Sequence, residues 1–457
     1  MSTGDLRARA LDIFLATLDA AHPHQLIQDA LHLQGTTLEA RGLNDEQVSV
    51  DLAELGRVVA VGAGKAAAPM VQALEELLQD RLEGGIISVK YEYTVPLERV
   101  EVREAGHPVP DAEGIAATGE ILELLESLGE QDLAFVLISG GGSALLESYP
   151  EDISLEEAQE TANILLECGA PIHKINIVRK HLSRVKGGQL ARAARPARVI
   201  ALVLSDVIGD PLPSIASGPT VPDPSTFDEA LEVLEEYGAL ERVPAAIRCH
   251  LEAGASGQVP ETPKPGEEGW ERCHTLLVGN NRRAVETAAD RARSLGLTPR
   301  VLTVEMEGEA AEVGRDLARL GRRARQTGEP AEPPCCLISG GETTVTLPEE
   351  HGQGGRNQEL ALAAAMGLQG HEGIVVLSGG TDGTDGPTDA AGAVVDGSTV
   401  GRGREQGREA ADHLERHDAY PYLDSVDDLI RTGPTMTNVM DIVLVLVGPG
   451  TEESAEG

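Results

Sequence analysis

The chain has 457 residues, of which 41% are hydrophobic and 2% aromatic, so it is long enough for two or three domains with aliphatic cores. Its net charge of −38 argues against nucleic acid as a partner, because the phosphates would be repelled. No apolar run approaches the roughly 18 residues that span a bilayer, and no basic-then-apolar leader opens the chain, so we expect a soluble, cytoplasmic protein with no membrane partner.

Strands and helices alternate almost without interruption through the first half of the chain. Short apolar segments are each followed by a longer segment of helical character, a rhythm that predicts a parallel sheet covered by helices on both faces. The predicted elements are helix Met1–Ala21, strand Arg57–Val61, a helix ending near Gln79, strand Ile86–Val89, strand Leu133–Ile138, helix Leu155–Cys168, strand Val199–Leu204 and helix Phe227–Tyr237.

The segment Glu252–Glu271 breaks this rhythm with prolines, glycines and a run of charge, which predicts a linker or insertion. The alternation then resumes with strand Thr275–Val278, helix Arg282–Ser294, strand Arg300–Val304, helix Glu309–Arg325, strand Cys336–Ile338, helix Gln358–Gly367, strand Ile374–Leu377 and strand Ile442–Val447. We therefore predict an α/β protein with a Rossmann-like N-terminal domain over 1–250, a linker over 251–273 and a C-terminal domain over 274–450. Each domain is expected to hold a largely parallel or mixed sheet flanked by helices.

Three predicted strands run directly into Ser-Gly-Gly, at the end of the sheet where open α/β folds bind their ligands. These stretches are Ser139–Ser143, Ser339–Thr343 and Ser378–Gly386. Glycine lets backbone N–H groups approach a ligand closely, and successive N–H groups form a cradle for phosphate. Tight turns without a ligand are the alternative, although three such loops favour binding. The candidate phosphate-binding residues are Ser139, Gly140, Gly141, Gly142, Ser143, Gly340, Gly341, Gly379, Gly380 and Thr381.

The turn Gly62–Lys65 also follows a predicted strand, and it opens a match to the loose dinucleotide pattern G-x-G-x-x-A. The acidic residue that would hold a ribose is missing at the end of the next strand, where the sequence reads Ser88–Lys90. The turn also lacks the spacing and the hydroxyl residue of a Walker A loop. A lysine at the start of a helix is disfavoured by the helix dipole, so Lys65, beside Gly64, predicts a bound anion. A solvated surface lysine is the alternative.

Two further segments place charged residues at strand or helix ends. Asp206 and Asp210 follow the strand Val199–Leu204, where they could hold Mg²⁺ or accept a hydroxyl proton, and turn capping is the alternative. Arg356 opens a helix and again predicts a bound anion, since its guanidinium fork suits carboxylate or phosphate. Glu359 is either a site residue or an acid that interacts favourably with the helix dipole.

Three aspartates, Asp382, Asp385 and Asp389, crowd one loop and would repel one another unless a cation or a proton compensates them. Carboxylates that share a hard divalent ion with phosphates are typical of Mg²⁺ sites, so these three are the predicted metal ligands. Their spacing differs from that of an EF-hand. His107 lies in a turn braced by prolines and is interpreted as structural.

The acidity of the chain is better explained by its solvent than by a partner or by disorder. The acids lie on helix faces between strands, as in 227–237, and lysine is scarce beside arginine. Such a surface resembles that of proteins from a salt-rich cytoplasm, where salt screens the repulsion, so we expect a halophilic protein. The five cysteines form no CxxC pair and are expected to be core residues in a reducing compartment.

Several segments, in order along the chain, carry a resemblance to a known family. They are Val61–Ala66, Gly106–Asp111 with Gly114, Ser139–Ser143, Ser205–Pro211 with Ser217–Thr220, Gly279–Asn280, Gly354–Glu359, Ser378–Asp389 and Thr432–Asp441. From about Leu11 to Val447 the chain resembles the glycerate 2-kinase family, whose C-terminal part is the MOFRL domain. The resemblance implies transfer of phosphate from ATP, with Mg²⁺, to D-glycerate, giving 2-phosphoglycerate in a cleft between two α/β domains.

The resemblance also implies that Lys65 and Arg356 lead the active site and that Asn280 belongs to the binding residues. Its partners are then a nucleotide and glycerate, and a homo-oligomer is left open. In this interpretation Lys65 and the loop Ser139–Ser143 hold nucleotide phosphates or the glycerate carboxylate. Arg356 neutralises the moving group or the carboxylate, and Asp206 accepts the hydroxyl proton.

Two other functions stay open at this point. One is an NAD(P)H-dependent hydroxypyruvate reductase that uses Gly62–Ala67, and the missing ribose-binding acid argues against it. The other is a non-catalytic sensor that binds a sugar phosphate in the same loops. The aspartates and arginines at the strand ends argue against the sensor, because a binding protein has no need of a metal cluster.

Overall fold

The computed structural model describes residues 2–449 and divides the chain into two compact units. One unit is the continuous segment Pro23–Gly279, which we call the inserted unit. The other combines Met1–His22 with Asn280–Gly457, and we call it the discontinuous unit.

Helices and strands alternate through most of both units. The helices are α1 (Thr3–Ala20), α2 (Pro23–Ala30), α3 (Ala67–Leu78), α4 (Ala112–Glu126), α5 (Gly142–Leu145), α6 (Leu155–Glu167), α7 (Ile172–His181), α8 (Gln189–Ala193), α9 (Phe227–Glu236), α10 (Ala245–Ala255), α11 (Asn281–Ser294), α12 (Ala310–Thr327), α13 (Arg356–Leu368), α14 (Thr399–Glu405), α15 (Ala410–Glu415) and α16 (Ala419–Ser425). The strands are β1 (Leu31–Gln34), β2 (Thr37–Arg41), β3 (Gln47–Asp51), β4 (Val58–Ala63), β5 (Gly84–Lys90), β6 (Val100–Ala105), β7 (Leu133–Ile138), β8 (Arg198–Leu204), β9 (Cys273–Gly279), β10 (Thr298–Met306), β11 (Cys335–Gly341), β12 (Ile374–Gly380), β13 (Gly392–Asp396), β14 (Leu429–Ile430) and β15 (Asp441–Val447).

The main sheet of the inserted unit is entirely parallel, in the order β6-β5-β4-β7-β8-β9. Strands β5 and β6 follow β4 on one side of it. Strand β7 then pairs with the other side of β4, and β8 and β9 extend the sheet in that direction. This is the strand order of a doubly wound dinucleotide-binding fold, and its direction reverses between β4 and β7. Both strands are buried along their whole length because their residues are apolar or small. The predicted Rossmann-like fold is confirmed.

The discontinuous unit is built on a mixed sheet in the order β10-β11-β15-β12-β13-β14. Only β10 and β11 run parallel, and the very apolar strand β15 lies antiparallel between β11 and β12. Helix α13 is buried on nearly all sides, and α1 packs on α11 and β12 with Phe14 buried. Arg7 of α1 donates to Asp396 at 2.7 Å, and Arg291 forms a bidentate pair with Asp12. The N-terminal helix is therefore a structural part of this unit.

The structure divides the chain elsewhere than the predicted boundaries. The segment 251–273 contains the end of α10 and an irregular stretch that returns to the inserted unit, where Asp223 donates its backbone N–H to the Pro263 carbonyl. Strand β9 then adds to the edge of β8, because its apolar residues extend the same buried sheet. The second segment of the discontinuous unit consequently begins at Asn280, and its first segment is Met1–His22.

Two predictions from composition can be compared with the fold. Across residues 2–449, no helix is both long enough and apolar enough to cross a membrane. All five cysteines are free thiols, and Cys335 and Cys336 are buried as expected. Cys249 is exposed on α10, so the expectation that every cysteine lies in a core is wrong for this residue.

We predict that dilute buffer destabilises the chain. The acids of α9 lie on its exposed face, and the same pattern over both units gives a net charge of −38. The mutual repulsion is screened within about 3 Å at 1 M salt but reaches about 30 Å at 0.01 M. The urea midpoint should therefore rise steadily between these two salt concentrations. Equal midpoints with sodium chloride from low to molar concentration would contradict the halophilic interpretation.

Candidate active site

The turn after β4 and the loop after β7 lie side by side where the sheet order reverses, the position at which doubly wound sheets bind ligands. The Lys65 backbone N–H donates to the Gly140 carbonyl at 2.9 Å, and the Ala66 N–H donates to Ser139 Oγ at 3.0 Å. Gly64 adopts φ +137°, and a Cβ on it would lie 2.2 Å from Ser139 Oγ. Only glycine permits so close an approach at this φ. The structure therefore joins Gly64, Lys65 and the Ser139–Ser143 loop into one surface, which we call the switch-point surface.

The Lys65 side chain extends over the loop, and the His107 ring lies beside it. A Cβ on Gly141 would lie 3.5 Å from Lys65 Cγ and 3.0 Å from His107 Nε2. Burial, together with the positive charges of Lys65 and Lys90, lowers the pKa of His107 to about 4. The imidazole is therefore neutral at pH 7 and adds no charge of its own beside Lys65.

Asp206 follows β8, whose neighbour in the sheet is β7. Its side chain is partly exposed at the same edge of the sheet as the switch-point surface. The position of Asp206 thus agrees with the expected strand end, and its role as proton acceptor stays a prediction.

Arg356, the first residue of α13, already has anionic partners within the protein. Its Nε and Nη2 donate to the two oxygens of Asp441 at 2.6 and 2.9 Å, and Nη1 lies 2.6 Å from Glu342 Oε1. Burial opposes the charge of the guanidinium, but the hydrogen bonds and charge of Asp441 outweigh it and raise the pKa of Arg356. A ligand anion at Arg356 would therefore bind beside Asp441 and Glu342 or displace one of them. The position of Arg356 at the start of a helix did not predict these two carboxylate partners.

Asp385 caps the start of α13 with both of its carboxylate oxygens. Its two carboxylate oxygens accept the backbone N–H groups of Asn357 at 3.1 Å and Gln358 at 2.9 Å. Burial and the nearby charge of Asp441 raise the pKa of Asp385 to about 7, although these hydrogen bonds act in the opposite direction. The carboxylate satisfies N–H groups that a helix start otherwise leaves without partners. The geometry therefore argues against Asp385 as a metal ligand.

The other two aspartates of the predicted metal set have local partners that differ from those of Asp385. Asp389 is exposed and accepts hydrogen bonds from Tyr420 at 2.8 Å and from Arg431 at 3.1 Å. Asp382 is partly buried and accepts the Thr384 N–H at 3.1 Å. Within residues 2–449, no group of three or more His, Cys, Asp or Glu side chains is arranged to hold a metal ion. The three aspartates are close in sequence but do not form a metal-binding group, because each accepts hydrogen bonds from different neighbouring residues.

Asp441 and Glu342 contact Arg356 and were not predicted from the sequence. Asp441 begins the central strand β15 and is buried, and the only sequence signal was its place at the end of the Thr432–Asp441 motif. A Cβ on Gly380 would lie 3.4 Å from one oxygen of Asp382 and 3.4 Å from one oxygen of Asp441. Asp382, Asp441, Glu342 and Arg356 therefore form a second surface, which we call the arginine clamp.

In the second and third stretches, Ser-Gly-Gly closes the strand, and residues 381–386 form a turn after β12. Gly340 and Gly341 lie inside β11, and Gly379 and Gly380 lie inside β12, each paired with β15. A Cβ on Gly340 would lie 1.9 Å from Asn281 Oδ1, and one on Gly379 would lie 2.7 Å from Phe14. Packing requires glycine at positions 340 and 379, and a phosphate-binding role for the residues at the ends of β11 and β12 stays a prediction.

Three further candidates have structural partners. Asn280 caps α11 by accepting the Arg283 N–H at 3.0 Å. Thr381 is buried, donates to the Met440 carbonyl at 2.7 Å and accepts the Val439 N–H at 2.8 Å. Glu359 is buried and lies 2.9 Å from His417 Nδ1. A binding role for these three residues stays a prediction.

Replacement of Asp385 by alanine should destabilise the fold by about 1–3 kcal/mol, since two N–H groups at the start of α13 lose their acceptors.

A second test of the Asp385 cap is the pH dependence of the free energy of unfolding. The folded pKa lies above the unfolded value of 3.8, so the stability linked to this carboxyl is present at low pH and is lost as pH rises towards 7. The stability of the wild type relative to Asp385→Asn should therefore fall between about pH 4 and pH 7 in urea titrations. Asp389→Asn, at an exposed aspartate, is the control, and the same trend in both variants would contradict the assignment.

Comparison with known proteins agrees with this arrangement of motifs. Residues 9–252 match a family model described as a domain of unknown function (DUF4147), and residues 335–441 match the MOFRL family. A relative from Agrobacterium vitis, 44% identical over 86% of this chain and 88% of its own, bears a provisional hydroxypyruvate reductase name.

Relatives with kinase names cover almost the whole chain. Glycerate 2-kinase of Pyrococcus horikoshii and D-glycerate 2-kinase of Thermotoga maritima are each 42% identical to it, over 97% of this chain and 98% of the relative. The crystal structure of glycerate kinase from Thermotoga maritima matches with a TM-score of 0.86 and 40% identity, covering 97% of this chain and 100% of that one. The resemblance read from the motifs is thereby confirmed, and the chain belongs to the glycerate 2-kinase family.

Proposed function

We propose that the chain is an ATP-dependent glycerate 2-kinase, which transfers the γ-phosphoryl group of ATP to the 2-hydroxyl of D-glycerate and releases ADP and 2-phosphoglycerate. The observation that carries the proposal is the switch-point surface, where Lys65 extends over a glycine-rich loop at the reversal of a doubly wound sheet. Relatives named as glycerate 2-kinases, similar over nearly the whole chain, support this substrate.

Both surfaces serve this reaction in the proposal. Phosphoryl transfer depends on positioning and on charge neutralisation more than on covalent chemistry. Lys65 and the Ser139–Ser143 loop bind an anionic group, either the nucleotide phosphates or the glycerate carboxylate. Arg356 stabilises the charge of the transferring group or of the carboxylate, and Asp206 accepts the proton that leaves the hydroxyl as the new P–O bond forms.

Magnesium is the proposed cofactor, and Asp382 of the arginine clamp is the carboxylate that would hold it. Mg²⁺ near phosphates is usually held by one or two carboxylates and otherwise by water and by phosphate oxygens. Asp382, beside Gly380, meets that requirement as a single carboxylate, whereas both oxygens of Asp441 accept hydrogen bonds from Arg356. Asp385 does not meet it either, because both its oxygens accept backbone N–H groups. When bound, the ion would neutralise charge on the nucleotide phosphates.

The test is an ATP-consumption assay with D-glycerate in molar salt, with ³¹P spectroscopy of the product. The proposal expects ADP formation that depends on glycerate and a phosphorus signal of 2-phosphoglycerate. A parallel assay follows nicotinamide absorbance with hydroxypyruvate, because one relative bears a reductase name. Oxidation of NAD(P)H without glycerate-dependent ADP formation would overturn the kinase proposal. A 3-phosphoglycerate signal would retain the kinase and reject the 2-position.

A further inference from the structure

A buried charged cluster lies directly behind the switch-point loop. Lys186 is 1% exposed, and its ammonium donates to the carbonyls of Ser143 at 2.9 Å and Leu146 at 3.0 Å, and lies 3.1 Å from Glu147 Oε1. Burial lowers the pKa of Lys186 to about 8, and the charge of Glu147 acts against that shift. The ammonium is therefore charged at neutral pH, and the three contacts match its three donors.

Arg179 reaches the same two acceptors from α7. Its Nη2 donates to the Ser143 carbonyl at 3.0 Å and to Glu147 Oε1 at 2.8 Å. Two cations thus share one buried carboxylate and converge on one backbone carbonyl. Because buried charges are costly unless they are paired, this arrangement requires a compensating benefit in structure or function.

The cluster holds the loop at Ser143, whereas the turn after β4 contacts it at Ser139 and Gly140. At the other end, Gly140 accepts the Lys65 N–H and Ser139 accepts the Ala66 N–H. Ser143, the last residue of the loop, is held through its carbonyl by Lys186 and Arg179, and its Oγ lies 3.0 Å from Ser217 Oγ. The loop is therefore fixed at both ends, and the cluster leaves one positive charge in excess behind it.

We propose that Lys186 and Arg179, joined by Glu147, are positioning residues that fix the Ser139–Ser143 loop in the conformation that binds an anionic group of the substrate or nucleotide. The inference rests on the proposed function, since it takes this loop as the anion site. A preorganised loop loses little conformational entropy on binding, so loosening it raises the dissociation constant for the anion. Both positioning residues act through Ser143 and need not touch the ligand.

The experiment compares Lys186→Met with Lys180→Met. Lys180 is also buried in the inserted unit, where its ammonium lies 3.2 Å from Asp223 Oδ1. Both substitutions remove a buried ammonium from a carboxylate, but only the first releases Ser143. Melting temperatures, kcat and KM for ATP and for D-glycerate are measured, together with calorimetric Kd values for each ligand.

Lys186→Met is expected to raise KM and Kd for one of the two ligands by at least about tenfold relative to Lys180→Met, and Lys186→Arg is expected to restore part of that loss. If Lys186→Met fails to fold, Arg179→Gln tests the same carbonyl from a half-buried position and should raise the same constant about threefold or more. If the wild type phosphorylates glycerate and the folded variants have unchanged KM and Kd, the inference is overturned and the kinase proposal is retained. A wild type that neither binds nor turns over ATP and D-glycerate would overturn the proposed function and this anion site together.

Discussion

Replacement of Arg356 by alanine is expected to lower kcat/KM for ATP-dependent phosphorylation of D-glycerate by about 10³-fold or more, the loss typical of a cation that stabilises charge in a phosphoryl-transfer transition state. The guanidinium is partly exposed, while its partner Asp441 is buried. The guanidinium can therefore contact a ligand while its hydrogen bonds to Asp441 fix its orientation. Steady-state kinetics in molar salt would measure the effect.

The alanine variant also leaves the buried Asp441 carboxylate without its cation, which costs about 3–5 kcal/mol of stability. Arg356→Lys separates the two effects, because it keeps the charge but loses the bidentate geometry. It should remain folded and still lose most of its turnover. Arg431→Ala is the matched control, since Arg431 pairs with Asp389 and Asp424 on the exposed surface of the same unit. Near-normal turnover in Arg356→Ala would remove this residue from the mechanism.

Replacement of Lys65 by methionine is expected to lower kcat/KM by about 10²–10³-fold, as is usual when one charge-stabilising donor is removed from an active site. The fold should tolerate the change, because residue 65 holds the Gly140 carbonyl through its backbone N–H. The melting temperature should thus stay close to that of the wild type. The same kinetic assay, with ATP and D-glycerate varied in turn, shows which ligand Lys65 binds.

Lys174→Met provides the comparison for Lys65. Lys174 lies in the same unit and pairs with Glu236 at 2.9 Å on the surface. Loss of its charge changes the net charge equally but leaves the switch-point surface intact. If Lys65→Met and Lys174→Met have equal kcat/KM, Lys65 is an ordinary surface lysine.

The architecture of the inserted unit could be read from the sequence because local and tertiary preferences agree there. The apolar segments that form β4, β7 and β8 can only be buried parallel strands, and the alternating helices supply both covering layers. Turn glycines and Lys65 were identified from the same rhythm. The short antiparallel strands β1–β3 were not predicted, because each has only four or five residues, although burial alternates along β2 and β3.

The arginine clamp shows where reasoning from sequence stops. Arg356 was singled out by its place at a helix start, but its partner Asp441 lies 85 residues later, and antiparallel insertion of β15 between β11 and β12 brings the two together. No periodicity encodes that pairing. The aspartates after β12 failed as a metal group for the same reason, since Asp385 is recruited by the start of α13.

The composition of the discontinuous unit has a consequence for how the polypeptide is made. Helix α1 is synthesised before the inserted unit, yet the surfaces of α11 and β12 that cover it follow more than 250 residues later. Since domains fold as units during synthesis, the inserted unit can form while α1 still lacks its partners. The apolar face of α1, with Ile13 and Phe14, then stays uncovered until α11 and β12 of the discontinuous unit have been made.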